Sequence, residues 1–186
     1  MMIMILGGSA SGKSAYAENT ACQLAKETNQ KKYYLATMQV FDNETQKKVD
    51  KHRALRRDKG FITIEQPIDI GKASEKMKTE KAIALLECIT NLTANELFSK
   101  EKAITEAQVI AKITKDIAQL SKKLTYLVIV SGNVFEDGIV YDPATLGYIR
   151  AMGTINQTLA AMADEVVEVV VGIPIVLKRR KQTCIS

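Results

Sequence analysis

The stretch GGSASGKS, Gly7 to Ser14, follows directly on the apolar run MIMIL, Met2 to Leu6. Gly7, Gly12, Lys13 and Ser14 occupy the fixed positions of the pattern G-x-x-x-x-G-K-[ST], and each residue type has a physical task there. Backbone N–H groups must converge on phosphate oxygens, which a backbone freed of side chains at Gly7, Gly8 and Gly12 permits. Ser9, Ala10 and Ser11 supply the N–H groups between them. Lys13 would meet the outer phosphates as a point charge, and the Ser14 hydroxyl would ligate a magnesium ion bridging them. A helix beginning here adds its positive end. An apolar strand before the loop and the helix-forming AYAENTACQLAK after it supply the expected setting, so the loop reads as a nucleoside triphosphate site. A plain Gly/Ser turn is the alternative.

A phosphate loop alone leaves kinase, NTPase motor, GTPase switch and nucleotidyltransferase open. The single histidine, His52, lies in DNETQKKVDKHRALRR among Lys48, Lys51, Arg53, Arg56 and Arg57. Surrounding cations favour its neutral form, and a neutral imidazole beside anion-binding groups could attack phosphorus to give a phosphoramidate. A surface helix with an incidental histidine is the other reading of the same residues. Glu87, in ALLECIT, ends an apolar run, and in open α/β sheets ligands bind at that edge. It could hold magnesium or its water opposite Ser14, or be a capping or surface carboxylate.

These residues need a scaffold, and the chain alternates short β-rich runs with longer helical ones, the pattern of an α/β sheet. Strands are expected at 2–6, 32–36, 62–64, 82–86, 126–130 and 166–171, with PIVLK as a closing edge. Helices are expected at 13–27, 43–58, 69–78, 91–99, 104–123 and 143–163. Several strands are continuous apolar runs, which suits a sheet covered on both faces. In the last helix Asp142 can cap, Pro143 fits the first position, and Leu146, Ile149, Met152, Ile155, Leu159 and Met162 form a core stripe.

The 186 residues, 46% hydrophobic and 25% charged, suit one globular domain, 1–186, with residues 179–186 as a frayed basic tail. Cys22, Cys88 and Cys184 form no C-x-x-C pair, so neither a zinc site nor a disulfide framework is indicated. No basic leader precedes the first apolar run, and VVEVVVGIPIVLK is too short to span a bilayer, so a cytoplasmic protein is expected. The net charge of +5 concentrates in 46–59 and in LKRRKQ, Leu177 to Gln182, with no interleaved aromatics. It is assigned to nucleotide phosphates and solvated surface, with no nucleic-acid partner.

Taken together, GGSASGKSAYAE, YLAT, DNETQKKVDKHRALRR, TIEQP, LLECITNLTANELF and INQTLAAMADEVVEVVVGIP closely resemble the bifunctional adenosylcobinamide kinase and adenosylcobinamide-phosphate guanylyltransferase family, in order, from about Met2 to Lys178. The resemblance implies a RecA-like P-loop fold with a mostly parallel sheet, and two reactions in cobalamin assembly. A nucleoside triphosphate, ATP or GTP, phosphorylates adenosylcobinamide; GTP then gives its GMP to that phosphate through a guanylylated histidine, releasing pyrophosphate. His52 stands in the place of that histidine, and Lys13 of the phosphate loop is the other expected catalytic residue. Further implied nucleotide contacts are Ala36, Thr37 and Met38, the run Arg53, Ala54, Leu55 and Arg56, and Glu65 and Glu87. The metal would be Mg2+ at Ser14 and Glu87, and the assembly a homotrimer. Ala10 stands where the family usually has Arg, Phe61 where it has Trp, and Ser131–Pro143 replaces a shorter loop. The competing readings are a divergent small-molecule kinase without guanylyl transfer and a non-catalytic nucleotide-sensing module.

Overall fold

The structure is a computed structural model that describes residues 1–39, 57–78, 81–99, 104–133 and 141–179. Its strands are β1 (Met2–Leu6), β2 (Lys32–Ala36), β3 (Ile62–Glu65), β4 (Ile83–Glu87), β5 (Tyr126–Val130), β6 (Glu165–Val170) and β7 (Ile173–Arg179). The helices are α1 (Lys13–Thr28), α2 (Ile89–Leu97), α3 (Glu106–Lys123) and α4 (Pro143–Met162). One seven-stranded sheet runs in the order β3-β2-β4-β5-β1-β6-β7. All neighbours pair in parallel except β6 and β7, which form an antiparallel hairpin.

The apolar strands are explained by the two layers they fill. Because side chains alternate across a strand, Met2, Met4, Tyr33, Leu35, Ala84, Leu86, Leu127 and Ile129 point to one face, where α2, α3 and α4 pack. Ile3, Ile5, Tyr34, Ile83, Leu85, Val128 and Val130 point to the other, against Ala17, Ala21 and Ala25 of α1. Alanines on that face of α1 let the helix lie close to β4 and β5.

Helix ends follow local chemistry. Thr105 accepts from the Gln108 N–H and its own N–H bonds the Gln108 side chain, a capping box that starts α3 at Glu106, two residues later than the apolar pattern predicts. Asp142 accepts from the N–H groups of Ala144 and Thr145, with Pro143 at the first helical position of α4. The expected stripe on α4 is core at Met152, Ile155 and Leu159, while Leu146 and Met162 are 40% and 39% exposed. The buried line runs instead through Gly147, Ala151, Met152, Ile155 and Leu159, leaving both ends of the helix off the core.

Two other expectations shift, and a third lies largely outside the described residues. The helix expected at 43–58 lies outside the described residues except for its last two, which belong to a 3-10 turn, Arg57–Lys59. The segment expected as a helix at 69–78 is a 3-10 stretch, Ile70–Lys76. Asp69 before it is left-handed at φ 51°, and Gly71 sits so near Asp116 that an added Cβ would be 3.0 Å from the carboxyl carbon. The residues expected to trail off as solvated tail begin inside β7: Lys178 donates to the carbonyls of Ala160 and Ala161, closing the end of α4, and Arg179 pairs with Glu165. Residues 180–186 lie outside the described residues. No helix among the described residues is long and apolar enough to cross a membrane.

Candidate active site

The parallel strands deliver the sequence-predicted residues to one edge. Ala36 is in register with both Glu65 and Glu87, and Glu87 with Val130. Ile5 aligns with Val130, two residues before Gly7. The carboxyl ends of β1 to β5 therefore carry the phosphate loop, Ala36–Met38, Glu65, Glu87 and Ser131–Asn133 side by side.

The loop's shape is imposed by its neighbours. A Cβ on Gly7 would sit 2.5 Å from Ser11 Oγ and 2.6 Å from the Val169 carbonyl oxygen, so this position has room for glycine alone. Gly12, at φ 92°, is the left-handed residue that turns the chain into α1, and Ala10 is left-handed at φ 57°. At Gly8 an added Cβ meets no atom of the described residues within 4 Å, so their packing does not demand glycine there. Close approach of a bound phosphate would. The Asn133 N–H donates to the Gly7 carbonyl (3.2 Å) and the Gly172 N–H to the Ser11 carbonyl (2.8 Å), bracing the loop from both flanks. Lys13 Nζ donates to the Gly8 carbonyl at 2.9 Å, which lays the ammonium over the loop. Ser11 Oγ is buried and has no hydrogen-bond partner among the described residues.

Glu87 is half-buried, and its Oε2 accepts a 2.8 Å hydrogen bond from the Tyr34 hydroxyl. Tyr34 is not legible as a site residue in the sequence, since it sits in an ordinary apolar strand, KYYLA. Thr37 is fully buried; its hydroxyl donates to the Cys88 carbonyl and accepts from the Cys88 N–H, across from the cis peptide between Glu87 and Cys88. Its carbonyl accepts from Asn95. Thr37 thus fixes where β4 ends, and with it the position of Glu87. Burial pushes the Cys88 thiol up, so it stays protonated. Met38 is half-buried and Glu65 exposed.

His52 and Arg53, Ala54, Leu55 and Arg56 lie outside the described residues. The turn directly after them does not. Lys59 is ion-paired with the buried Glu18, on α1 little more than one turn beyond Lys13, and Phe61 packs edge-on against Tyr34 at 5.9 Å between ring centres. The 3-10 turn that follows the histidine segment is therefore fastened to the helix that the phosphate loop begins.

For magnesium, Ser14 and Glu87 offer hard oxygens, and the described residues contain no cluster of three or more His, Cys, Asp or Glu that would form a cage. That donor set fits an ion that takes one or two protein oxygens and completes its shell with water and substrate phosphates.

Comparison with known proteins bears on the fold and the family. Among solved structures, an ATPase domain superposes with a TM-score of 0.51 at 15% identity, covering 90% of this chain and 68% of that one, a likeness of fold. Two proteins named bifunctional adenosylcobalamin biosynthesis protein CobU, from Escherichia coli (strain K12) and Salmonella typhimurium, are 31% and 33% identical, each over 96% of this chain and all of the relative. A Pseudomonas aeruginosa protein, bifunctional adenosylcobalamin biosynthesis protein CobP, is 26% identical over 96% of this chain and 98% of its own. With residues 3–177 matching the family's sequence profile throughout, the chain belongs to the cobinamide kinase / cobinamide phosphate guanyltransferase family.

Proposed function

We propose that this protein phosphorylates adenosylcobinamide with ATP or GTP and then transfers GMP from GTP to the product, giving adenosylcobinamide-GDP and pyrophosphate. The observation that carries the reading is the phosphate loop itself: a glycine-only corner at Gly7, a left-handed Gly12 and Lys13 over the loop, on a chain that matches the family over residues 3–177. In the first reaction the substrate hydroxyl attacks the terminal phosphorus and the bond to the leaving nucleoside diphosphate breaks. Loop N–H groups from Gly7 to Ser14 and the Lys13 ammonium hold the phosphates in line and offset the charge on the leaving oxygen. Magnesium, held by Ser14 and Glu87, would supply further neutralisation, with Tyr34 orienting the Glu87 carboxylate.

In the second reaction an imidazole nitrogen of His52 attacks the α-phosphorus of GTP, and the bond to pyrophosphate breaks. The phosphate of adenosylcobinamide phosphate then attacks the same phosphorus, the P–N bond breaks, and the imidazole is restored. Arg53 and Arg56 would grip the phosphates, with Ala36, Met38 and Glu65 bordering the nucleotide. The Lys59–Glu18 tie supports this reading, because it fastens the turn that directly follows Arg53–Arg56 in sequence to α1. Incubation with GTP labelled at the α-phosphate tests it: base-stable, acid-labile label on the protein is expected, and its absence in active kinase would leave a kinase alone. A homotrimer in the cytoplasm belongs to the same proposal. Support for assembly comes from β7, where Ile173, Ile175, Val176 and Leu177 are 45–62% exposed on an edge strand. Light scattering on the purified chain measures the stoichiometry.

A further inference from the structure

The amino edge of the sheet, opposite the phosphate loop, holds a cavity of about 900 Å3. Four lysines line it, Lys78 and Lys81 from the segment entering β4 and Lys122 and Lys123 from the end of α3, and among the described residues no carboxylate does. The negative end of α3 accounts for cations at 122 and 123. It does not account for Lys78 and Lys81, which arrive from a different segment. Lys123 donates to Ser74 Oγ at 3.0 Å, while Lys78, Lys81 and Lys122 have no ion-pair partner among the described residues. Like charges gathered in a concavity focus a positive potential, which an anion would relieve.

The rest of the wall narrows the ligand class. Met77 and Leu124 give it apolar surface, and Gln30 carries a side-chain oxygen that is buried with no hydrogen-bond partner. The volume lies in the range of small-molecule sites, about 300 to 1,000 Å3, well above what inorganic phosphate fills. We infer that this cavity is a second anion site, built for a small polyphosphate ester of nucleotide size and separate from the phosphate loop. From Ile83 to Glu87, β4 separates the two by roughly 13 Å at the usual strand rise. Both are therefore open to occupation at once.

The test uses the full chain carrying Lys13→Ala, titrated calorimetrically with GDP and, separately, with inorganic tripolyphosphate. Binding is expected to persist and to fall at least tenfold when Lys81→Gln and Lys122→Gln are added. Lys26→Gln with Lys115→Gln, two exposed lysines outside the cavity, should leave it within twofold. Hydrogen exchange in the Lys13→Ala protein should slow at Met77 and Thr125 when the probe is added. Binding of GDP supports the assignment, and binding of tripolyphosphate without GDP would overturn the ester. Protection confined to Gly7–Ser14, binding that survives the cavity substitutions, or an equal loss in the control pair would overturn the inference.

Discussion

The two edges of the sheet gather positive potential by different means. At the carboxyl edge a short loop aims backbone N–H groups, and one lysine completes it. At the amino edge four lysine side chains line a cavity instead. A backbone cradle requires glycine at fixed spacing, so it leaves a motif in the sequence. A ring of lysines drawn from residues 78, 81, 122 and 123 leaves none, because the fold alone brings the two pairs together. Anion sites read from sequence are thus biased toward the first kind.

The largest expected effect falls on the guanylyl transfer proposed for His52. His52→Asn keeps a polar group of similar size but no nucleophile, so formation of adenosylcobinamide-GDP should be abolished while phosphorylation of adenosylcobinamide continues, both followed by product chromatography. Loss of both activities in a folded protein would mean that the histidine segment serves nucleotide binding generally. Lys13→Ala should weaken GTP binding by roughly 1.5–3 kcal/mol, the worth of a charge-assisted hydrogen bond, and slow both reactions. Calorimetry and initial rates check this, and unchanged values would break the comparison by removing the loop from the chemistry.

Stability sharpens the contrast from the other side. Lys112 bridges Asp69 and the buried Glu96, fastening the start of the 3-10 stretch whose far end walls the amino-edge cavity. Lys112→Met strands Glu96, and a loss of about 3 kcal/mol in urea unfolding is expected. Asp69→Asn has a smaller, pH-dependent effect. Hydrogen bonds from Lys112 and Lys72 hold the Asp69 carboxyl below its usual range, so its contribution is fully present above about pH 4 and fades as pH falls through the lowered value. The difference between parent and variant urea midpoints should therefore shrink from pH 7 to pH 3. The smallest expected effect is that of Lys81→Gln with Lys122→Gln on phosphorylation rate, within twofold, since neither residue reaches the carboxyl edge.

Legibility follows the range of the forces involved. Strand periodicity, the Asp142–Pro143 cap and the glycine pattern are local, and each can be read directly. The closing strand is visible in PIVLK, but its task is not, because the bonds from Lys178 to Ala160 and Ala161 depend on two elements meeting. Tyr34 looks like core because half of its role is core: it packs on Phe61 while its hydroxyl reaches Glu87. The 3-10 stretch reads as a helix because IGKASEK has helical composition, whereas its path is set by Asp69, Gly71 and the distant Asp116.

The phosphate loop is encoded at the start of the chain and finished by its end. β1 lies between β5 and β6, so Met2 finds its partners at Leu127 and beyond, and Ser11 waits for the N–H of Gly172. Contacts of that sequence separation form late, and a chain emerging from the ribosome makes them last. During synthesis the first residues that could grip a nucleotide therefore lack the strands that shape them. Nucleotide capture thus requires the β6–β7 hairpin, and a nascent chain stopped before Gly172 would carry the motif without the site.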